Sequence, residues 1–322
     1  MDSPRLICAM APWMDMDLRQ ALSARAAELG FEIRWFENED DALEDAKTCE
    51  ILYGLAPRCL RAARQLKWFC IPFAGVDRFT APGLVPEGTL VTHSAGAYGP
   101  AIAEHVVMVS LMLLRREDRI FPRMENRLWQ KETQMDSLEG RSIVVLGTGD
   151  LGKTCARRLR AFAPRALVGV SRSGRDARPD FDRVFPASEA EKALPQAELL
   201  VMTLPGTEET ENFLSEERMD LLPRGAYVVN VGRGRCLDEK ALRARLKDGR
   251  IAGAALDVMR HEPLPPDDPL WETPNLLLTP HCAGDMTVRG TRVRCADIFQ
   301  EDLDNYASGR TLKHLVDLKR GY

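Results

Sequence analysis

The run RSIVVLGTGDLG, Arg141 to Gly152, constrains this chain more than any other. Ser142 to Leu146 is apolar and rich in β-branched residues, the pattern of a strand buried on both faces. It leads straight into Gly147-Thr148-Gly149-Asp150-Leu151-Gly152, and Lys153 to Phe162 follows with helical spacing. A strand, a glycine turn and a helix in this order form a dinucleotide site. Gly147 allows the tight turn, Gly149 leaves the backbone open to a pyrophosphate, and Gly152 lets the helix pack closely on the strand. The helix start then offers free N–H groups and a positive dipole end, with Asp150 and Leu151 in its first turn.

The chain has 322 residues, enough for two ordinary domains. Its formal charge of −4 favours neither nucleic acid nor an anionic membrane as a partner. The longest apolar stretch, Val106 to Leu114, is too short to span a bilayer. The start, MDSPRLICAM, lacks the layout of a signal peptide. Eight cysteines occur without a CxxC pair and mostly in apolar runs, which reads as reduced thiols in a cytoplasmic protein with no metal site.

Apolar runs read as strands at Leu6–Met10, Phe31–Phe36, Ile51–Leu55, Trp68–Phe73 and Leu90–Thr92, with helical patterns between them. Ala101 to Arg116 is a helix apolar on nearly every face, so it is expected to be buried, either between domains or at a subunit contact. Arg119 to Gly140 reads as polar and irregular, with Trp129 its main apolar anchor. From Ser142 onward, strands are expected at Ser142–Leu146, Leu167–Val170, Leu199–Thr203, Ala226–Val231, Ile251–Leu256 and Leu276–Leu278, a sheet of about six strands. A final helix covers about Val288 to Ala307. The expected fold is α/β, with two doubly wound parallel sheets in separate domains. The domains are drawn as residues 1–98, then 99–287, with 288–322 returning to the first.

Three charged groups follow three strands of the second sheet, where doubly wound folds bind ligands. Arg233, in Asn230-Val231-Gly232-Arg233-Gly234, offers a rigid fork for a carboxylate, and its glycine neighbours are expected to leave room for a small substrate. Glu262 sits in a proline-held loop after Asp257. His281, in Thr279-Pro280-His281-Cys282-Ala283-Gly284, can exchange protons near neutral pH. Together they suit ketone reduction by a nicotinamide. His281 supplies a proton, Glu262 holds the imidazolium, and Arg233 binds the carboxylate and polarises the carbonyl.

The ordered motifs Ala74-Gly75-Val76-Asp77, Ala103-Glu104-His105, Leu146 to Gly152, Leu204-Pro205 with Thr210, Asn230 to Gly234, Leu256 to Pro265 and Thr279 to Gly284 resemble the D-isomer-specific 2-hydroxyacid dehydrogenase family. The resemblance implies Arg233, Glu262 and His281 as the catalytic set. It implies that the backbone at Ala74 and Gly75, with Tyr98 nearby, meets the substrate in a cleft between the domains. Leu204, Pro205, Thr210, Val231, Asp257, Ala283 and Gly284 would line the cofactor. It further implies a Rossmann-type cofactor domain inserted into a flavodoxin-like substrate domain, and a homodimer formed through the helix Ala101 to Arg116 and the arm after it. Tyr98 departs from the family, where asparagine is common at that place.

An NAD site needs an acidic residue near the end of its second strand, about 20 residues past the glycines. Here Leu167–Val170 is followed by Ser171-Arg172-Ser173-Gly174-Arg175, and no acid appears before Asp176. Arg172 can pair with a 2′-phosphate while Ser171 and Ser173 donate hydrogen bonds, so NADP is expected over NAD. The substrate is read as a small 2-keto or 2-hydroxy acid, with glyoxylate and hydroxypyruvate as types. The competing reading is a dinucleotide-sensing protein of the corepressor kind.

Overall fold

The computed structural model describes residues 5–76, 79 and 83–318. Asp77 of the Ala74–Asp77 motif, Asp2 and the end of the tail to Tyr322 lie outside them. The chain divides into two compact units. One holds the chain up to Tyr98 and again from Asp285 onward, and the other holds Gly99–Gly284. The chain thus re-enters the first unit at Asp285, just ahead of the Val288 read from sequence.

In the first unit the strands are β1 (Arg5–Met10), β2 (Phe31–Trp35), β3 (Ile51–Gly54), β4 (Trp68–Ile71) and β5 (Leu90–His93). They pair in the order β2-β1-β3-β4-β5, all parallel. This is the flavodoxin-like order. The intervening helices start where the sequence supplies starts: Asn38 caps Glu39–Ala46 by accepting from the Asp41 N–H, and Pro57 opens Pro57–Ala62. The returning helix, Arg289–Ala307, completes this unit's core. Phe299 stacks on Tyr53 with ring centres 4.3 Å apart and on Trp68 at 5.5 Å, and the Tyr306 hydroxyl donates to Glu50.

The second unit carries β6 (Ser142–Leu146), β7 (Ala166–Ser171), β8 (Arg183–Pro186), β9 (Leu199–Met202), β10 (Ala226–Asn230), β11 (Ile251–Leu256) and β12 (Leu276–Leu278). The order is β12-β11-β10-β9-β6-β7-β8, again parallel throughout. Renumbered from β6, this is the 3-2-1-4-5-6 order of a dinucleotide fold with one further edge strand. Among the described residues the sheet has seven strands, not about six. The addition is β8, whose four residues RVFP end in proline, a composition that hides an edge strand. A strand's amino acids need little apolar patterning when only one neighbour, here β7, pairs with it.

One further expectation changes. Glu117–Glu125, expected to be irregular, is helical with Pro122 inside it, and the proline together with the charged composition disguises the turn. The helix Gly99–Arg115 is not wholly covered within the chain. Its Ala103, Val106, Val109, Leu113 and Leu114 are buried, but Met108 remains 47% exposed. Among the described residues no two cysteines form a disulfide, and only Cys282 is exposed. Among the described residues no helix is long and apolar enough to cross a membrane, and no group of side chains is arranged to hold a metal ion.

Candidate active site

The switch point of the second sheet lies between β6 and β9, and the glycine turn sits there. Gly147 has φ +102°, a conformation costly for any other residue. A Cβ on Gly152 would lie 1.9 Å from the Gly147 carbonyl oxygen, so only glycine lets the helix Asp150–Arg160 begin here. Thr203 completes the turn, its hydroxyl donating to the Leu146 carbonyl at 3.0 Å. By contrast, nothing lies within 4 Å of the place a Gly149 Cβ would occupy, and no side chain caps the helix. The orphan N–H groups of the first turn therefore face open space, which fits a pyrophosphate.

At the end of β7, Ser171 accepts from the Gly174 N–H at 3.1 Å, and Arg172 and Ser173 are exposed. Asp176, the first acid after the strand, is held by Arg178 at 2.6 Å. No carboxylate stands between Ser171 and Arg175. Beyond β9, Leu204 and Val231 are buried, and the Thr210 hydroxyl donates to the Pro205 carbonyl at 2.5 Å and accepts from the Thr207 N–H at 2.9 Å. Thr210 thus shapes the Leu204–Thr210 loop.

After β10, the glycines flanking Arg233 do not make room, contrary to the expectation above. A Cβ on Gly232 would meet the Leu204 backbone at 2.6 Å, and one on Gly234 the Met259 backbone at 2.0 Å. They let the Arg233 turn press against two neighbouring segments. Arg233 is half-buried, and its guanidinium donates to the Gly232 carbonyl at 2.9 Å. Met259, packed beneath that turn, donates its N–H to Glu262 Oε1 at 2.9 Å, and Glu262 Oε2 lies 2.7 Å from His281 Nδ1. The three charged groups read from sequence are therefore joined through Met259.

His281 has φ +53°, in the left-handed region. Such a conformation persists where the surroundings over-determine it. Here Asp257 does so. Its carbonyl accepts the His281 N–H at 2.9 Å. Its buried carboxylate accepts from the Thr279 hydroxyl at 2.6 Å and from the N–H groups of Cys282 and Ala283, each at 3.0 Å. Asp257 holds the whole Thr279–Ala283 loop, with Gly284 just beyond. His105, from the Ala103-Glu104-His105 motif, reaches Thr279 at 3.4 Å, and burial pushes its ring below the usual histidine range. Thr203, Met259 and Thr279 were missed by the sequence reading. Thr203 adjoins Leu204, and Met259 and Thr279 each stand two residues from one that was singled out, Asp257 and His281, which is the signal that would have found them.

In the first unit, Ala74 is exposed and Gly75 half-buried. The Tyr98 hydroxyl donates to the Pro72 carbonyl at 2.6 Å, and its ring packs against the cluster of Met286 and Cys295. Burial pushes it far above the usual phenol range. Tyr98 thus supports the Phe73–Gly75 loop.

A switch-point glycine turn beneath a histidine–carboxylate pair and an arginine defines an α/β oxidoreductase site for a nicotinamide dinucleotide. The family model for "D-isomer specific 2-hydroxyacid dehydrogenase, NAD binding domain" matches residues 107–283. A glyoxylate reductase of Thermofilum pendens is 31% identical over 283 residues, 85% of this chain and 81% of that one. A solved D-isomer specific 2-hydroxyacid dehydrogenase family protein from Aeromonas salmonicida aligns with a TM-score of 0.87 at 31% identity, covering 98% of this chain and all of that one. Another, from Xanthobacter autotrophicus Py2 in complex with NADPH and MES, aligns at 0.83 and 30% identity over the full length of both. The chain belongs to the D-isomer-specific 2-hydroxyacid dehydrogenase family and is an NAD(P)-dependent oxidoreductase of that class.

Proposed function

We propose that this enzyme reduces a small 2-keto acid of the glyoxylate or hydroxypyruvate kind to the D-2-hydroxy acid, and that it prefers NADPH. The His281–Glu262 pair, joined through Met259 to the Arg233 turn, is the observation that carries this reading. A bound nicotinamide would supply the hydride. Glu262 occupies Nδ1 of His281, so Nε2 is the atom that passes a proton to the substrate oxygen. Arg233 pairs with the substrate carboxylate, helped by backbone N–H groups at Ala74 and Gly75. Gly147, Gly149, Asp150, Leu151 and Gly152 receive the pyrophosphate, while Leu204, Pro205, Thr210, Val231, Asp257, Ala283 and Gly284 line the rest of the cofactor.

The NADPH preference rests on the Ser171-Arg172-Ser173 turn. No carboxylate there would repel a 2′-phosphate, and Asp176 is engaged by Arg178. The test is kcat/KM for a panel of 2-keto acids with each nicotinamide cofactor, repeated with Arg172→Ala. We expect turnover of glyoxylate or hydroxypyruvate, a preference for NADPH, and loss of that preference in the variant. Absence of turnover with every keto acid would overturn the enzymatic reading. An NADH preference, or an unchanged ratio in Arg172→Ala, would overturn the cofactor assignment alone.

A homodimer belongs to the same reading. Met108, Phe121, Met124, Leu128 and Trp129 are all exposed apolar side chains within one stretch of the second unit, which supports this reading. Light scattering should find a dimer at micromolar concentration. A cytoplasmic location accords with eight cysteines that form no disulfide.

A further inference from the structure

Four successive carbonyls of the first unit, Ile71 to Ala74, each accept a hydrogen bond from groups of that same unit. Ser94 Oγ donates to Ile71 at 3.3 Å and Tyr98 Oη to Pro72 at 2.6 Å. The Ser94 N–H donates to Phe73 at 3.0 Å, and His93 Nδ1 lies 3.1 Å from the Ala74 oxygen. In a trans peptide the carbonyl of one residue and the N–H of the next point in opposite directions. Drawing in the Phe73 carbonyl therefore turns the Ala74 N–H away, and drawing in the Ala74 carbonyl turns the Gly75 N–H away. Among the described residues neither N–H takes a backbone partner.

We propose that His93 is a positioning residue, which aims the Gly75 N–H at the substrate carboxylate by holding the Ala74 carbonyl. This rests on the reading of the Ala74–Gly75 backbone given above. A carbonyl only accepts, so Nδ1 carries the proton. Burial pushes His93 below the usual histidine range, which keeps the ring neutral and this one donor in place. The His93 backbone is itself fixed from behind. The His93 N–H donates to the His314 carbonyl at 3.1 Å, and His314 Nδ1 lies 3.0 Å from the fully buried Asp302 carboxylate. The returning tail thus sets His93, and His93 sets the loop. Ser94 and Tyr98 hold their carbonyls in the same way, but only the His93 contact governs the peptide of Gly75.

The test uses His93→Leu, which removes the donor at similar size, and His93→Asn, which returns an N–H near the Nδ1 position. The readouts are KM and kcat for glyoxylate, the Kd of oxalate on the NADP⁺-loaded enzyme, and the Kd of NADPH. In His93→Leu, KM for glyoxylate and Kd for oxalate should each rise about tenfold, with kcat and NADPH affinity changed far less. His93→Asn should restore most of the loss. Oxalate affinity equal in all three proteins overturns the proposal, as does an asparagine variant no better than the leucine one. A parent enzyme that binds oxalate in this way yet reduces no keto acid overturns the proposed reaction instead, and the oxalate series still decides the role of His93. A parent enzyme that binds no oxalate overturns the proposal.

Discussion

After β1 the first unit turns through Ala11-Pro12-Trp13-Met14, and after β6 the second turns through Gly147-Thr148-Gly149. Both turns sit at the switch point of a parallel sheet, beside β3 in one case and β9 in the other. The first is filled by its own side chains. Arg19 donates to the carbonyls of Met14 at 3.0 Å and Ala11 at 3.1 Å, and Trp13 meets Tyr53 edge-on at 6.3 Å. The second keeps the space beside Gly149 open, and its helix start has no side-chain cap. Topology therefore nominates two crevices and side chains leave one of them open.

The largest expected effect falls on the chemistry of the open crevice. His281→Asn should lower keto-acid turnover by about 10²–10⁴, the weight of a general acid, while NADPH binding persists. Near-normal turnover would remove the chemistry from the second unit's edge. Next comes the packing that keeps the crevice open. Gly152→Ala puts a methyl 1.9 Å from the Gly147 oxygen, so it should cost about 1–3 kcal/mol of stability and weaken NADPH binding as the helix shifts. Gly149→Ala meets nothing in the protein and should weaken NADPH binding at unchanged Tm. If both variants lose stability equally, the second switch point is as filled as the first.

The closed unit is probed by pH. Hydrogen bonding from Arg5, joined by Tyr306 and Lys67, holds the Glu50 carboxyl down to about 2. Its folded pKa lies below its unfolded one, so its stabilisation is present above about pH 4.5 and lost as the pH falls toward 2. Allowing for the exposure of Arg5, the loss should be about 1–2 kcal/mol, read as a shallower acid decline of Tm in Glu50→Gln. The smallest effect concerns Tyr53, whose hydroxyl is buried with no partner. Tyr53→Phe should be neutral or stabilise by up to about 1 kcal/mol, read by thermal unfolding. A clear loss would mean that the first unit's centre holds a polar contact and is not a purely apolar filling.

Much of this was legible in the residues. The buried strands of both sheets announce themselves as apolar runs, because a parallel strand is covered on both faces. Gly147 and Gly152 are legible because no other residue meets their steric demands, and Gly149 because a dinucleotide turn keeps that place free of a Cβ. The edge strand β8 was not, since an edge needs no apolar run, nor was Glu117–Glu125, whose proline and charges obscure a helix. At the site, Arg233, Glu262 and His281 stood out by charge at strand ends. Their supports, Thr203, Met259 and Thr279, are ordinary residue types whose importance comes only from what they touch.

By itself the sequence determined the alternation of strands and helices, the dinucleotide turn, the absence of an acid before Asp176 and the charged residues after three strands. These are local matters of period, steric allowance and charge. Only the tertiary structure decided how each was used. It turned Gly232 and Gly234 from spacers into contact points, because Leu204 and Met259 come from other strands. It drew Asp257 under the His281 loop and took the Tyr98 hydroxyl to Pro72. It set His93 behind Ala74, a relation between β5 and the loop after β4 that no spacing along the chain encodes. Such pairings follow from strand order, and a hydrogen bond across that order leaves no trace in either segment alone.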